Sequence, residues 1–199
     1  MDTRERIINK SVELFTNSGI RLVTMDQIAV ETGVSKRTIY EIFKGKDDLL
    51  KICIEQMDLQ NKSEMNAIIA GTDNVIEALY KIGQHGERKK SAINHLFFDD
   101  LEKHYPQFRS IFTRRGDSAT GSIIYTILKK GIHEGIFIED INIAIVDVFI
   151  HEMMVICHKN DLFPDEPESI EILKNIVIPY FKGICKPKGI DLIEKYFSM

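Results

Sequence analysis

Cysteine is scarce in this 199-residue chain. The three present, Cys53, Cys157 and Cys185, are odd in number and widely spaced, which argues against an oxidised framework and for a reducing compartment. Proline is also scarce: there are five, and none precedes Pro106. No Asn-Gly or Asp-Gly pair sits between alternating apolar runs, so hairpins are not expected. No apolar run is long enough to cross a bilayer. The longest, from Ile141 to Cys157, is broken by Asn142, Asp147, His151 and Glu152, whereas a spanning helix needs about 20 predominantly apolar residues. The opening MDTRERIINK lacks the apolar core of a signal peptide and carries acids that transit peptides avoid. A soluble, cytoplasmic protein with no membrane partner is the expectation. There is no phosphate-cradling glycine-rich loop and no nucleophile elbow. The tract HEMMVICH resembles a zinc-protease motif, but that motif needs histidine where Val155 stands. No enzyme, no cofactor and no metal site are therefore expected. Internal repeats and low-complexity tracts are absent as well.

What remains is a globular composition, 44% hydrophobic and 28% charged, in a chain long enough to hold a core without disulfides. Apolar residues recur at helical spacing, as at Ile7, Ile8, Val12, Leu14 and Phe15, and again at Leu49, Leu50, Cys53, Ile54 and Met57. Glycines stand mostly singly, where helices would end. The pattern predicts an all-α fold of nine or ten helices.

The formal net charge of −4, taken over the whole chain, argues against nucleic acid as a partner. Its distribution says more. Residues 1–46 hold eight Lys/Arg against six Asp/Glu and residues 47–199 hold 18 against 24, so a head of charge +2 is joined to a body of charge −6.

Within the head, the hydroxyl of Thr24 is placed to cap a helix MDQIAVET that ends at Gly33. Gly33 supplies the permissive backbone of a tight turn, Val34 follows as a buried turn residue, and Ser35 caps a second short helix. That order is a helix-turn-helix. Ile28, Ala29, Val34, Ile39 and Phe43 can form its small core. Lys36, Arg37, Thr38 and Tyr40 then face outward from the N-terminal half of the second helix, the portion that meets base edges in the major groove. Arg and Lys can pair with guanine acceptors or phosphates, and Thr can reach either. The alternative reading is a short helical pair with a solvated charged face.

These residues resemble the tetracycline-repressor (TetR) family of bacterial transcriptional regulators. The resemblance covers about residues 4–50: Ile8, Ser11, Leu14, Phe15 and Gly19, then Thr24, Ile28-Ala29, Gly33-Val34-Ser35, Thr38-Ile39-Tyr40, Phe43, Lys46 and Leu49. It implies that Thr24 contacts phosphate, that Lys36, Arg37 and Thr38 read bases, and that Tyr40 and Lys46 bind phosphate. Two positions depart from the pattern: Ser11 stands where alanine is frequent, and Ile42 where many members carry histidine. The implied division is a helix-turn-helix DNA-binding domain at 1–46 and a helical effector-binding and dimerisation domain at 47–199.

In the body, periodicity predicts helices from Asp47 to about Ala70, near 73–84, 88–104 and 106–134, and at 140–159 and 168–184. The 140–159 helix is apolar nearly all round and must be buried on several sides. Pro179 is expected to bend the last one. The resemblance implies that these two helices form a homodimer interface. Asp147, His151, Met154 and His158 share one helix face. That stripe fits a solvated strip, a polar dimer seam, a ligand pocket or a divalent-metal site. Further ligand-pocket candidates are Met57, Met65, His95, Phe98 and Tyr125, for which plain core is the alternative. Cys157 and Cys185 could meet and sense oxidants, or stay buried and inert.

Two functions fit. One is a repressor that binds a palindromic double-stranded DNA operator as a homodimer and is released by a small-molecule effector. The other is a DNA-bound architectural or cell-division factor without an effector.

Overall fold

A computed structural model describes residues 2–113, 122–157, 171 and 173–197. The fold is all-α, and the chain divides into two compact units. The first comprises Met1–Lys62 and Lys89–Arg114, and the second Ser63–Arg88 and Arg115–Met199.

The first unit begins with α1 (Thr3–Ser18), α2 (Met25–Thr32), α3 (Lys36–Ile42) and the start of α4 (Lys46–Ala70). It also takes the end of α5 (Val75–Ala92), then α6 (His95–His104) and α7 (Pro106–Thr113). The apolar stripe of α1 buries Ile7, Ile8 and Phe15 against Ile28 of α2, Ile39 of α3 and Leu49, Leu50 and Ile54 of α4. Phe97 and Leu101, one turn apart on α6, enter the same core. Each such side chain contributes about 1.5–3 kcal/mol when fully removed from water, so α6 is held to the head by packing as well as by polar contacts. Asn94 caps α6, its side chain accepting from Leu96 N at 3.0 Å. The same side chain donates to the carbonyl of Asn17 at 3.0 Å, and its backbone N–H donates to Thr16 O at 2.8 Å.

The second unit holds the rest of α4 and α5, then α8 (Ile123–His133), α9 (Ile143–Cys157), a π-helical turn at Leu173–Val177, α10 (Ile178–Gly183) and α11 (Pro187–Phe197). Its core gathers Val75, Ile76, Ile127, Leu128, Phe137, Ile150, Phe181 and Ile193. Charges of opposite sign stand at complementary helix ends. Lys130 donates to Ile69 O at 2.8 Å near the C-terminus of α4, and Glu134 accepts from Val75 N at 3.0 Å where α5 begins. Ile136–Ile138 pairs with the stretch after α10 through Ile138 N to Ile184 O at 2.9 Å and Lys186 N to Ile136 O at 2.8 Å.

Four expectations about the helices need correction. The break placed between 84 and 88 does not exist, because α5 continues through Gly86 to Ala92 and ends where Asn94 is drawn to the end of α1. The single helix over 106–134 is not one element. Ser122 is extended (φ −75°, ψ 140°) and caps α8 by accepting from Ile124 N. The segment at 168–184 is a π turn running into α10 at its described residues, and 168–170 and 172 lie outside them. Pro179 cannot donate to the carbonyl four residues back and its ring crowds that carbonyl, which accounts for the widened turn directly before it. Finally, α11 has no counterpart among the expected helices.

Candidate nucleic-acid interface

Local chemistry sets the geometry of α2 and α3. Thr24 Oγ1 accepts from Gln27 N at 3.1 Å and Ser35 Oγ from Thr38 N at 3.0 Å, so each helix has a hydroxyl cap. Gly33 lies between them at φ 64°, ψ 29°, in the left-handed region, and its N–H closes the end of α2 on Val30 O. Behind the turn, Ile28, Ile39 and Phe43 are fully buried and Val34 is half-buried. Ile28, Ala29, Ile39 and Phe43 are thus buried as expected, whereas Val34, expected to be buried, is only half so.

Opposite that core, α3 presents an exposed polar face. The Arg37 side chain is 88% exposed and Tyr40 is 49% exposed. Thr38 Oγ1 lies 2.8 Å from Ser35 Oγ, so these two hydroxyls form one small polar group at the start of α3. Neither exposed cation is bare. Lys36 Nζ meets the carboxylate of Asp26 at 2.8 Å, and Arg37 Nε donates to Glu41 Oε1 at 2.9 Å. The hydrogen bond to Asp26 raises the Lys36 pKa above its ordinary value. The i, i+4 spacing of Arg37 and Glu41 was a readable signal. The Asp26–Lys36 pair joins two helices and needed the turn geometry.

Lys46 behaves differently. Its Nζ donates to Arg21 O at 3.3 Å. Burial lowers its pKa, with Asp100 and Asp47 pulling the other way. Arg21 is held in turn, its N–H donating to Asp100 Oδ2 at 2.7 Å and its guanidinium lying 3.2 Å from His104 Nε2. The loop before α2, the start of α4 and the middle of α6 thus form one polar cluster, which sequence reasoning did not find because its members are up to 83 residues apart.

The ligand-pocket candidates fall into two groups. In the first unit, Met57 packs half-buried on the core, His95 is exposed at the start of α6, and Phe98 lies edge-on to Phe97 at 5.4 Å between ring centroids. In the second unit, Met65 and Tyr125 are half-buried, and His151 and Met154 share α9 with Asp147. His158 lies outside the described residues. Asp147 is fully buried and accepts from Ser122 Oγ at 2.6 Å, so at that residue the stripe is not a solvated strip. Among the described residues no three His, Cys, Asp or Glu are gathered as metal ligands. Nor is any helix among them long and apolar enough to cross a membrane.

Among the described residues of the second unit, neighbouring apolar side chains of α9 stand exposed. Ile145 is 65% exposed and Phe149 50% exposed, with Val148 beside them on α9. Phe149 packs on Tyr180 of α10, ring centroids 4.9 Å apart.

Comparison with known proteins agrees with this geometry. Residues 7–53 match the model of bacterial regulatory proteins of the tetR family. The HTH-type transcriptional regulator SrpR of Pseudomonas putida is 40% identical over 50 residues, 25% of this chain and 24% of SrpR. The HTH-type transcriptional regulator YvkB of Bacillus subtilis is 30% identical over 118 residues, 53% of this chain and 60% of YvkB. The chain thus matches less than two thirds of the length of either relative. Among solved structures, a transcriptional regulator from Cytophaga hutchinsonii superposes with TM-score 0.71 at 21% identity, over 92% of this chain and 98% of that one. NemR of E. coli in its reduced form gives 0.67 at 15% identity, over 94% and 98%. These two likenesses show the fold.

Proposed function

The chain belongs to the tetR family of bacterial regulatory proteins through residues 7–53, and from that membership we propose that it is a transcriptional regulator that binds a palindromic double-stranded DNA operator as a homodimer. The observation that carries this reading is the capped α2–Gly33–α3 unit with Lys36, Arg37 and Tyr40 on its exposed face. Docked in the major groove, α3 brings Arg37 and Lys36 to guanine acceptors or phosphate, with Thr38 beside them. Thr24, Ser35 and Tyr40 on the same unit, with Lys46 at the start of α4, make up the phosphate-contacting set. Ser35 and Thr24 reach it chiefly by holding the helix N-termini, whose N–H groups favour an anion.

The homodimer is supported by the exposed side chains of Ile145, Val148 and Phe149 on α9, with Tyr180 of α10 against Phe149. Burying exposed apolar surface at about 25 cal/mol per Å² drives such pairing. A small-molecule effector acting through residues 47–199 would release the operator by preferring a conformation with the heads wrongly spaced. Met65, Tyr125, His151 and Met154 of the second unit are the candidates for contacting it.

Selection from a random duplex library tests the reading. The expected result is an enriched palindrome that Arg37→Ala no longer binds while sedimentation still shows a dimer. No enriched sequence from an intact dimer would overturn it.

A further inference from the structure

The exposed cations of α3 are each held by a carboxylate on the same surface, and we infer that Asp26 and Glu41 are selectivity-determining residues that withhold Lys36 and Arg37 from DNA lacking the right base edges. The inference rests on the DNA-binding reading above and deepens it. Lys36 Nζ lies 2.8–2.9 Å from both oxygens of Asp26, and Arg37 Nε lies 2.9 Å from Glu41 Oε1. All four side chains are at least half exposed, so nothing but the pairing itself holds them together.

The consequence is electrostatic. Affinity for any duplex comes mainly from cations that neutralise phosphates and release counterions. A cation already neutralised by a neighbouring carboxylate releases few, and the carboxylate is itself repelled by the backbone. A phosphate alone is thus a poor exchange for the existing partner. Glu41 takes only the Nε of Arg37, so both Nη groups remain to donate to O6 and N7 of a guanine and the pair survives in the specific complex. The pairs cost the specific complex less than they cost the non-specific one, which widens the ratio between them. Asp26 and Glu41 act through Lys36 and Arg37 rather than by touching bases.

The test is the salt dependence of binding to a random-sequence duplex and to the selected palindrome, read by fluorescence anisotropy on the full-length chain. Asp26→Asn and Glu41→Gln keep side-chain volume and remove one charge each. Each should tighten random-duplex binding and steepen the slope of log affinity against log salt by about 0.9 for every further phosphate neutralised. That change enlarges the affinity loss between about 50 and 200 mM salt by roughly 3.5-fold per phosphate. The ratio of palindrome to random affinity should fall. Glu139→Gln removes the same charge from a pair at 2.7 Å with Lys186 in the second unit and should leave the slope unchanged. Unchanged slopes in both head variants, or an equal change in Glu139→Gln, would overturn the inference while leaving the DNA-binding reading standing. A wild-type chain with no salt-dependent duplex binding would take down both.

Discussion

Gly33 and Gly131 separate two reasons for which a glycine is required, and alanine at each should fail by a different amount. At Gly33 an added Cβ meets nothing within 4 Å, but the backbone sits at φ +64°. The whole cost is then the left-handed conformation, about 1–2 kcal/mol for an L-residue. The stiffer unfolded chain returns a few tenths of that or more, which leaves a net loss of about 1 kcal/mol. Gly131, in the last turn of α8, has ordinary helical backbone and no room. A Cβ there would overlap two ring carbons of Phe137 and lie 2.9 Å from Val75 Cγ2. Normal carbon contacts are about 3.5–4.0 Å, so the ring must retreat, yet Phe137 is fully buried with Phe181 at 5.7 Å between centroids. Overpacking of this kind reaches about 3 kcal/mol or more, against a gain of about 1 kcal/mol from helix propensity. Gly131→Ala should therefore lose about 2 kcal/mol or more and Gly33→Ala about half that. Gly33→Asn should lose less than Gly33→Ala, since asparagine enters the left-handed region more readily. Urea unfolding at one fixed protomer concentration measures all three, because dimer dissociation would otherwise shift the midpoints. Equal midpoints for Gly131→Ala and wild type would refute the close approach. No difference between alanine and asparagine at 33 would refute the strain.

Ser11 is fully buried in α1 and its hydroxyl has no hydrogen-bond partner among the described residues, so Ser11→Ala should stabilise by about 1 kcal/mol, read as a higher urea midpoint. Burial pushes the Cys53 thiol up to about 12 and the Cys185 thiol up to about 11. In a Cys157→Ser chain both should resist a disulfide reagent at pH 8 and react once unfolded, whereas fast native labelling would show a thiolate. Glu77 has its pKa lowered by the Lys81 side chain, 2.6 Å away, and by the Asp73 N–H. Because the folded value lies below the unfolded one, its contribution is present above about pH 4.5 and disappears as pH falls through the folded value. Melting curves of Glu77→Gln should accordingly depend less on pH between about pH 5 and 3 than wild type.

The helix-turn-helix was legible because everything that defines it acts over a few residues. A hydroxyl reaches three residues ahead at Thr24 and at Ser35, and Gly33 relieves a turn within the same segment. The errors arose where a partner distant in sequence decided the outcome. The break expected between 84 and 88 contains Gly86, but a glycine costs a helix only about 1 kcal/mol, and the real end is set by Asn94 bonding to residues 16 and 17. No helix is expected beyond 184, yet Pro187 and Gly189 open α11. Gly189 is needed there because a Cβ would come within 2.7 Å of Ile136 O, an approach no local pattern announces. The charge pattern of the site was half legible. The cations of α3 were found by type and position, whereas the carboxylate holding Lys36 lies on the preceding helix and became visible only with the turn folded.

The pairing of those charges changes how the head's balance of +2 is to be weighed. Three of its eight cations, Lys10, Lys36 and Arg37, are paired with carboxylates before DNA arrives, and Lys46 is partly desolvated against Arg21 O. One head therefore offers few free cations, and its affinity for phosphate alone is low. Joining two heads turns the second contact into an intramolecular one, whose effective concentration can reach the millimolar range when geometry permits both contacts at once. Affinity in the proposed dimer then depends on spacing more steeply than on the charge of either head. This is the condition under which an effector that alters only spacing can switch the protein. In the proposed regulator a more basic head would bind tightly through one copy and lose that control, so the roles proposed for the carboxylates beside Lys36 and Arg37 and for the apolar face of α9 would serve the same end.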